Sequence, residues 1–174
     1  GSGQDRHAEF IAPARLLHRA LDFVPDKFRR KNRIQINPAV SKQPPIPVQP
    51  TTFIQILQNV LINAAESLER ETPLCPRIRV DCRAETHDGR DMLHWTIQDN
   101  GAGIAADKLE GIFERGASSK TQGLTGIGLH WCANTINAMH GRLWAESKGV
   151  HRGACFHVLV PMAAEEAPVA VAEG

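Results

Sequence analysis

Apolar side chains recur at helical spacing in two segments of the chain. The longer segment begins after Thr51 or Thr52, either of which can cap a helix, and its spacing continues to about Glu69. The shorter segment begins at Pro13, a residue suited to the first helical position, and Pro25 limits it. The pattern therefore predicts two amphipathic helices. The apolar stripe of the longer one consists of Phe53, Ile56, Leu57, Val60, Leu61, Ala64 and Leu68.

Strict alternation of apolar and polar residues predicts strands. Two alternating segments, at 77–83 and 93–98, flank His87-Asp88-Gly89, which is typical of a hairpin turn. A short strand is expected at 34–36. The proline-rich segment 38–50 is expected to be an extended connection that contains at most one short strand, at 46–48. Two last strands are expected at 142–148 and 154–160, on either side of a turn at Gly149–Gly153.

The second half of the chain adds a short helix at 105–114 and a small, polar, glycine-bearing segment at 115–124, expected to be a mobile loop. A further helix is expected from about Thr125 to His140, ended by Gly141 in a left-handed conformation. Strands and helices both occur, with hairpins rather than regular strand–helix–strand alternation. We therefore expect an α+β fold: a mixed, mostly antiparallel sheet with helices packed on one face.

Composition limits the class of protein. The chain has 174 residues, 42% of them hydrophobic and 22% charged, which suits one globular domain. With 20 basic and 19 acidic residues, no strong field favours nucleic acid or an anionic membrane as partner. The apolar runs are far shorter than the roughly 20 residues that span a bilayer. We expect a cytoplasmic protein in which this chain makes no direct membrane contact.

A polar cluster lies on the longer predicted helix. Asn59, Asn63 and Glu66 fall within about 60° of one another, away from the apolar stripe. Two carboxamides one helical turn apart present neutral oxygens to one point, and Mg²⁺ prefers hard oxygen ligands. Taken alone, such residues are more often a solvated helix face.

A second cluster is the sequence Asp99-Asn100-Gly101-Ala102-Gly103. The alternation places Asp99 on the same face as Leu93 and Trp95, which is the buried face. A carboxylate there is costly unless it has a specific partner, and the exocyclic amino group of adenine is one. The glycines would let the backbone approach a flat ring. A turn that caps the following helix is an equally good interpretation of this cluster alone.

A third cluster, from Lys120 to Leu129, contains Gly123, Gly126 and Gly128 before a predicted helix. Successive N–H groups at a helix N-terminus can hold phosphate, and Lys120 can add a positive charge. A glycine pair before a helix is weak support by itself.

The three clusters, in this order, resemble the motifs of the GHKL ATPase superfamily. Asn59–Glu66 resembles the N box, Asp99–Ile104 the G1 box, Ile112–Lys120 the F box of sensor histidine kinases, and Thr125–Leu129 their G2 box. The resemblance covers about residues 10 to 161. It implies the Bergerat fold, a two-layer α/β sandwich, and the catalytic ATP-binding domain of a two-component histidine kinase.

The resemblance also implies residue roles. Asn63 would bind Mg²⁺, with Asn59 beside the metal and the phosphates, and Asp99 would hold N6 of adenine. Many histidine kinases have a Lys where this chain has Glu66, which puts that phosphate contact in doubt. The other residues of the implied ATP site are Gly101, Gly103 and Ile104 at the base, Ser118, Ser119, Lys120 and Gly123 in a lid, with Lys120 also catalytic, and Thr125, Gly126, Ile127, Gly128 and Leu129 at the phosphates.

The implied reaction transfers the γ-phosphate of Mg-ATP to a His in a separate dimerisation hairpin, with a response regulator downstream. None of the eight histidines lies in a helical hairpin before an acidic residue and a Pro. We therefore expect a monomeric catalytic fragment of a larger bacterial sensor, for which a membrane-anchored and an unanchored parent both stay open. Gly1–Gly3 look like a cloning remnant, 4–161 form the domain, and 162–174 are a disordered tail or linker.

Three alternatives share the motifs. An ATP-driven gate or clamp, like gyrase, resembles this chain but has a Glu that activates water at the place of Asn59. The Asn59 amide cannot take a proton, so ATP hydrolysis as the main task is disfavoured. An anti-sigma serine kinase has a similarly small domain, but Ser118-Ser119-Lys120 look more like a sensor kinase lid. A nucleotide-binding pseudokinase is suggested only by Glu66.

Overall fold

The computed structural model describes residues 7–29, 33–115 and 128–164. The first three residues, almost all of the loop expected at 115–124, the expected start of the helix at Thr125 and most of the expected tail lie outside this part of the chain. The described α-helices and strands are, in order, β1 (Glu9–Ile11), α1 (Pro13–Asp22), α2 (Asp26–Arg29), β2 (Ile34–Ile36), β3 (Ile46–Val48), α3 (Pro50–Arg70), β4 (Ile78–His87), β5 (Arg90–Asp99), α4 (Leu129–Ala138), β6 (Arg142–Glu146) and β7 (Ala154–Pro161). A 3₁₀ helix at Pro38–Lys42 begins the connection over 38–50, which was expected to be extended.

Five strands form the main sheet in the order β2-β4-β5-β7-β6. Only β2 and β4 are parallel, and the other neighbours are antiparallel. The separate pair β1 and β3 is antiparallel. The hairpin between β4 and β5 turns at Asp88 and Gly89, both with positive φ. The expected α+β architecture is thus confirmed.

The core lies between this sheet and the helices α1, α3 and α4. Trp95 of β5 is fully buried, and its ring centroid lies 5.9 Å from that of Phe53 on α3. In β5 the row Leu93, Trp95 and Ile97 is buried, as the alternation predicts, while His94 on the opposite face is partly exposed. Among the helices of the described residues, none combines the length and the apolar character that crossing a bilayer requires.

The start of α3 differs from the prediction. The Gln49 side chain accepts a hydrogen bond from the Thr52 N–H at 2.6 Å, and Pro50 occupies the first turn. The cap is therefore Gln49 and not Thr51 or Thr52. The helix therefore begins before the two threonines, and the Gln49 side chain satisfies a free N–H group of its first turn.

The prediction of a helix at 105–114 is wrong. The backbone there forms consecutive three-residue turns, ending in a single 3₁₀ turn at Gly111–Phe113. Gly111 is a poor helix residue, and it stands in the middle of the expected segment.

The end of α4 also differs. His140, with a φ of 62°, takes the left-handed conformation that was expected of Gly141. Gly141 is needed for a different reason: a Cβ there would lie 2.2 Å from the carbonyl oxygen of Leu159 on β7. The glycine lets the chain pass close to the sheet before β6 begins.

Candidate functional site

Asp99 is the last residue of β5 and is only 4% exposed. Its Oδ1 accepts hydrogen bonds from the Gly101 N–H at 2.8 Å and from the Ser67 hydroxyl at 3.0 Å. Its Oδ2 is buried and accepts no hydrogen bond from the described residues. A buried carboxylate oxygen without a donor is costly, so this atom is suited to a donor supplied by a ligand.

Burial raises the pKa of the Asp99 carboxyl above its usual range. The loss of hydration on burial raises the pKa more than the neighbouring groups that favour the ionised form lower it. Those groups are, in decreasing order of effect, the Gly101 N–H, the Ser67 hydroxyl, Arg70 and the nearby amide of Ala154.

This raised pKa predicts a pH-dependent stability difference between the wild type and Asp99→Asn. Since the folded-state pKa is above the unfolded-state value, protonation favours the folded chain, and that contribution is lost as pH rises through the raised pKa. The unfolding free energy of the wild type should therefore rise relative to that of Asp99→Asn as the pH falls from 7.5 toward the usual pKa range of a carboxyl group. Urea unfolding of both proteins measures it, and a constant difference would contradict a buried, ionisable Asp99.

The polar cluster of α3 is not the solvated helix face that is its commoner interpretation. Asn59 is fully buried and Glu66 is nearly so, whereas Asn63 is partly exposed. Ser67 follows Asn63 by one helical turn and reaches Asp99. Asn59, Asn63 and Ser67 therefore follow one another at intervals of one turn along the helix.

The loop after β5 packs tightly against α3. A Cβ on Gly101 would lie 2.6 Å from the backbone carbonyl and the hydroxyl of Ser67, and the Ala102 N–H donates to that hydroxyl at 3.0 Å. Gly103 has a φ of +70°, and a Cβ there would lie 2.1 Å from the carbonyl oxygen of Gly149. Both glycines are thus required by contacts within the protein, and their predicted contact with a base stays a prediction.

The turn between β6 and β7 holds the other side of the same loop. The Ser147 hydroxyl accepts the Ile104 N–H at 3.0 Å and donates to the Gly153 carbonyl at 2.7 Å. The His151 N–H donates to the Ala102 carbonyl at 2.7 Å. Two serines, one on α3 and one after β6, therefore fix the loop from opposite sides.

Asn100 ties the site to the loop between α3 and β4. Its side chain accepts the Arg77 N–H at 2.9 Å and donates to the Cys75 carbonyl at 2.8 Å. No role was predicted from the sequence for Asn100, Ser67 or Ser147. Only Ser67 had a signal, because it lies four residues after Asn63 on the helix.

Of the five residues from Thr125 to Leu129 that were predicted at the phosphates, the structure describes two. Gly128 precedes α4 in an extended conformation, and Leu129 begins the helix and is buried. The first turn of α4 is joined to the 3₁₀ turn, since His130 Nδ1 donates to the Phe113 carbonyl at 3.1 Å. The predicted residues Ser118, Ser119, Lys120, Gly123, Thr125, Gly126 and Ile127 lie outside the described residues.

Close packing at Gly101 yields a stability prediction. Gly101→Ala should destabilise the fold by about 1–3 kcal/mol, because the new methyl group meets helix backbone that cannot move aside. Gly111→Ala is the matched control, since the nearest atom to its Cβ lies 4.0 Å away at the end of the Glu114 side chain, and its effect should stay within about 0.5 kcal/mol. Thermal and urea unfolding measure both. Equal stabilities would contradict the close contact between loop and helix.

The fold and the site together define a class: a sheet covered by helices on one face, with a buried aspartate ending a central strand and amides on the adjoining helix. The chain belongs to the family described as "Histidine kinase-, DNA gyrase B-, and HSP90-like ATPase", whose family model matches residues 48–164. It is thus an ATPase domain of the kind found in histidine kinases, and the resemblance identified from the motifs is confirmed.

Relatives and solved structures agree with this class. The chain is 29% identical over 150 residues to the adaptive-response sensory kinase SasA of Synechococcus elongatus, covering 84% of this chain and 37% of that protein. It is 33% identical over 138 residues to the two-component sensor PprA of Pseudomonas aeruginosa, covering 78% of this chain and 14% of that protein. The chain therefore spans well under half the length of these relatives.

Among solved structures, the mycobacterial sensor histidine kinase MprB superposes with a TM-score of 0.65 at 22% identity, covering 88% of this chain and 97% of that one. The catalytic domain of histidine kinase ThkA superposes with a TM-score of 0.66 at 20% identity, covering 89% and 95%. These likenesses establish the shared fold.

Proposed function

We propose that this chain is the ATP-binding catalytic domain of a sensor histidine kinase, extending over residues 4–161. It binds Mg-ATP and transfers the γ-phosphate to a histidine in a separate helical hairpin. The observation that carries the proposal is the buried Asp99 carboxylate, whose Oδ2 has no donor among the described residues.

Adenine matches this carboxylate. Its N6 amino group donates hydrogen bonds, and an ionised carboxylate only accepts them. Oδ1 is already bound to Gly101 and Ser67, so the base would use Oδ2. Gly103 and the half-buried Ile104 would line the ring, since the loop that carries them is fixed on both sides.

The Mg²⁺ ion and the phosphates would lie along α3 and before α4. The side-chain oxygens of Asn59 and Asn63 are the hard, neutral donors that suit Mg²⁺, and Asn63 is the more exposed of the two. When bound, the ion neutralises phosphate charge. The N–H groups at the start of α4, after Gly128, favour an anion. Lys120 would add a positive charge, and the remaining predicted lid and G2 residues complete the phosphate contacts.

Phosphoryl transfer requires mainly positioning and charge neutralisation from the protein. A neutral imidazole is already a nucleophile near pH 7, so this domain needs no strong base beside the γ-phosphate. Asn59 stands where ATP-hydrolysing gates have a Glu, and its amide cannot accept a proton from water. Transfer to a histidine is therefore favoured over hydrolysis. We expect the chain to act as a monomer on the hairpin of its parent kinase, with a response regulator downstream.

Transfer to a separately produced hairpin of the parent kinase tests the proposal. With Mg²⁺ and γ-labelled ATP, the hairpin should gain a phosphate that is stable in alkali and labile in acid, as phosphohistidine is. Steady release of free phosphate without the hairpin would instead favour an ATP-driven gate. Binding of ATP without either product would favour a pseudokinase.

A further inference from the structure

Ser67 makes three contacts at the candidate base site although no motif of the sequence includes it. It is 5% exposed on α3. Its hydroxyl lies 3.0 Å from Asp99 Oδ1 and 3.0 Å from the Ala102 N–H, and its carbonyl accepts the same N–H at 3.2 Å.

The direction of each hydrogen bond follows from chemistry. A backbone N–H can only donate, so the Ser67 oxygen accepts from Ala102, and its single proton is free for Asp99. Oδ1 of Asp99 then receives two protons in hydrogen bonds, from Ser67 and from Gly101. An oxygen that already accepts two hydrogen bonds does not also carry a proton. Oδ2 is therefore the atom that either accepts from a ligand or becomes protonated.

We propose that Ser67 is a positioning and specificity-determining residue, which orients Asp99 so that only Oδ2 faces the base and presents it there as an acceptor. The proposal rests on the proposed function. It deepens that function by explaining how the site selects a 6-amino purine. A 6-oxo purine, such as the base of inosine triphosphate, offers an oxygen at the same place and would require a protonated Oδ2.

The groups around Asp99 distinguish this role from general support of the loop. Arg70 on α3 and the Cys155 thiol on β7 interact electrostatically with the carboxyl, and both remain in a Ser67 variant. Ser147 fixes the same loop from the opposite side without contacting Asp99. A merely structural serine would therefore behave like Ser147.

The test compares Ser67→Ala with Ser147→Ala by calorimetric titration of ATP and of inosine triphosphate at a series of pH values from 8 down to 4.5. Ser67→Ala should weaken ATP binding about fivefold at pH 7.5, reduce the preference for ATP over inosine triphosphate, and move the pH at which ATP binding is lost upward. Ser147→Ala should weaken both nucleotides to the same extent and leave that pH unchanged.

A Ser67→Ala variant that binds ATP with an unchanged pH profile and an unchanged nucleotide preference would overturn the inference. Should Ser67→Ala fail to fold, Ser67→Thr and Ser67→Cys decide the question. The thiol is the weaker donor, so Ser67→Cys should lose ATP at a higher pH than Ser67→Thr, and equal profiles overturn the inference. Failure of the wild type to bind ATP would contradict the proposed function instead.

Discussion

Asp99→Asn is expected to lower the affinity for ATP by at least about tenfold. The variant keeps an oxygen that can accept from Gly101 and Ser67, but it places an amide NH₂ where Oδ2 stands. That group would meet the N6 amino group of adenine, so two donors would face each other. Losing a hydrogen bond to a charged group costs about 1.5–3 kcal/mol, which corresponds to this loss of affinity.

Isothermal titration calorimetry with ATP measures the effect. Asp91→Asn is the matched control, because Asp91 lies near the other end of β5 and is exposed. The control should bind ATP as the wild type does. An Asp99→Asn protein that is folded and binds ATP with unchanged affinity would show that the base lies elsewhere.

Asn63→Ala is expected to reduce Mg²⁺-dependent phosphotransfer at least about a hundredfold. A metal ion stabilises the charge of the transferred phosphate by several kcal/mol, and each 1.4 kcal/mol changes a rate about tenfold. The variant loses the partly exposed amide that we place at the ion. Asn63→Asp is expected to lose the transfer as well. Binding of ADP in the presence of a chelator should change little, since the adenine contact is elsewhere.

The transfer assay to the separate hairpin measures this effect, with Gln55→Ala as the matched control. Gln55 is a half-buried amide on the same helix, but it faces a depression next to α1 lined by Arg19 and Phe23. Its removal should leave transfer intact. Retained transfer by Asn63→Ala would contradict the metal-binding role.

The parts of the fold that the sequence predicted are those with a long, regular pattern. The stripe of α3 and the alternation of β4 and β5 hold because burying one row of side chains fixes both the helix face and the strand register. The positive φ of His140 has no regular sequence pattern that would predict it. The close approach of Gly141 to Leu159 has none either, because Leu159 lies far along the chain.

The candidate site likewise has a part that the sequence predicts and a part that depends on contacts between distant segments. Asp99 could be predicted because a carboxylate in an apolar row is locally anomalous. The contacts that fix Asp99 and the loop after it could not, because Ser67 and Ser147 reach them only through the packing of α3 and of the β6–β7 turn. The same holds for His94. Its contacts with Glu85 and His157, both at 2.8 Å, exist only once three strands are paired.

A crystal structure with a non-hydrolysable ATP analogue and Mg²⁺ tests the central proposal most directly. We expect the N6 amino group of adenine within hydrogen-bond distance of Asp99 Oδ2, and the ion on the side-chain oxygen of Asn63. A nucleotide bound at another place, with Oδ2 still lacking a donor, would contradict the proposed site.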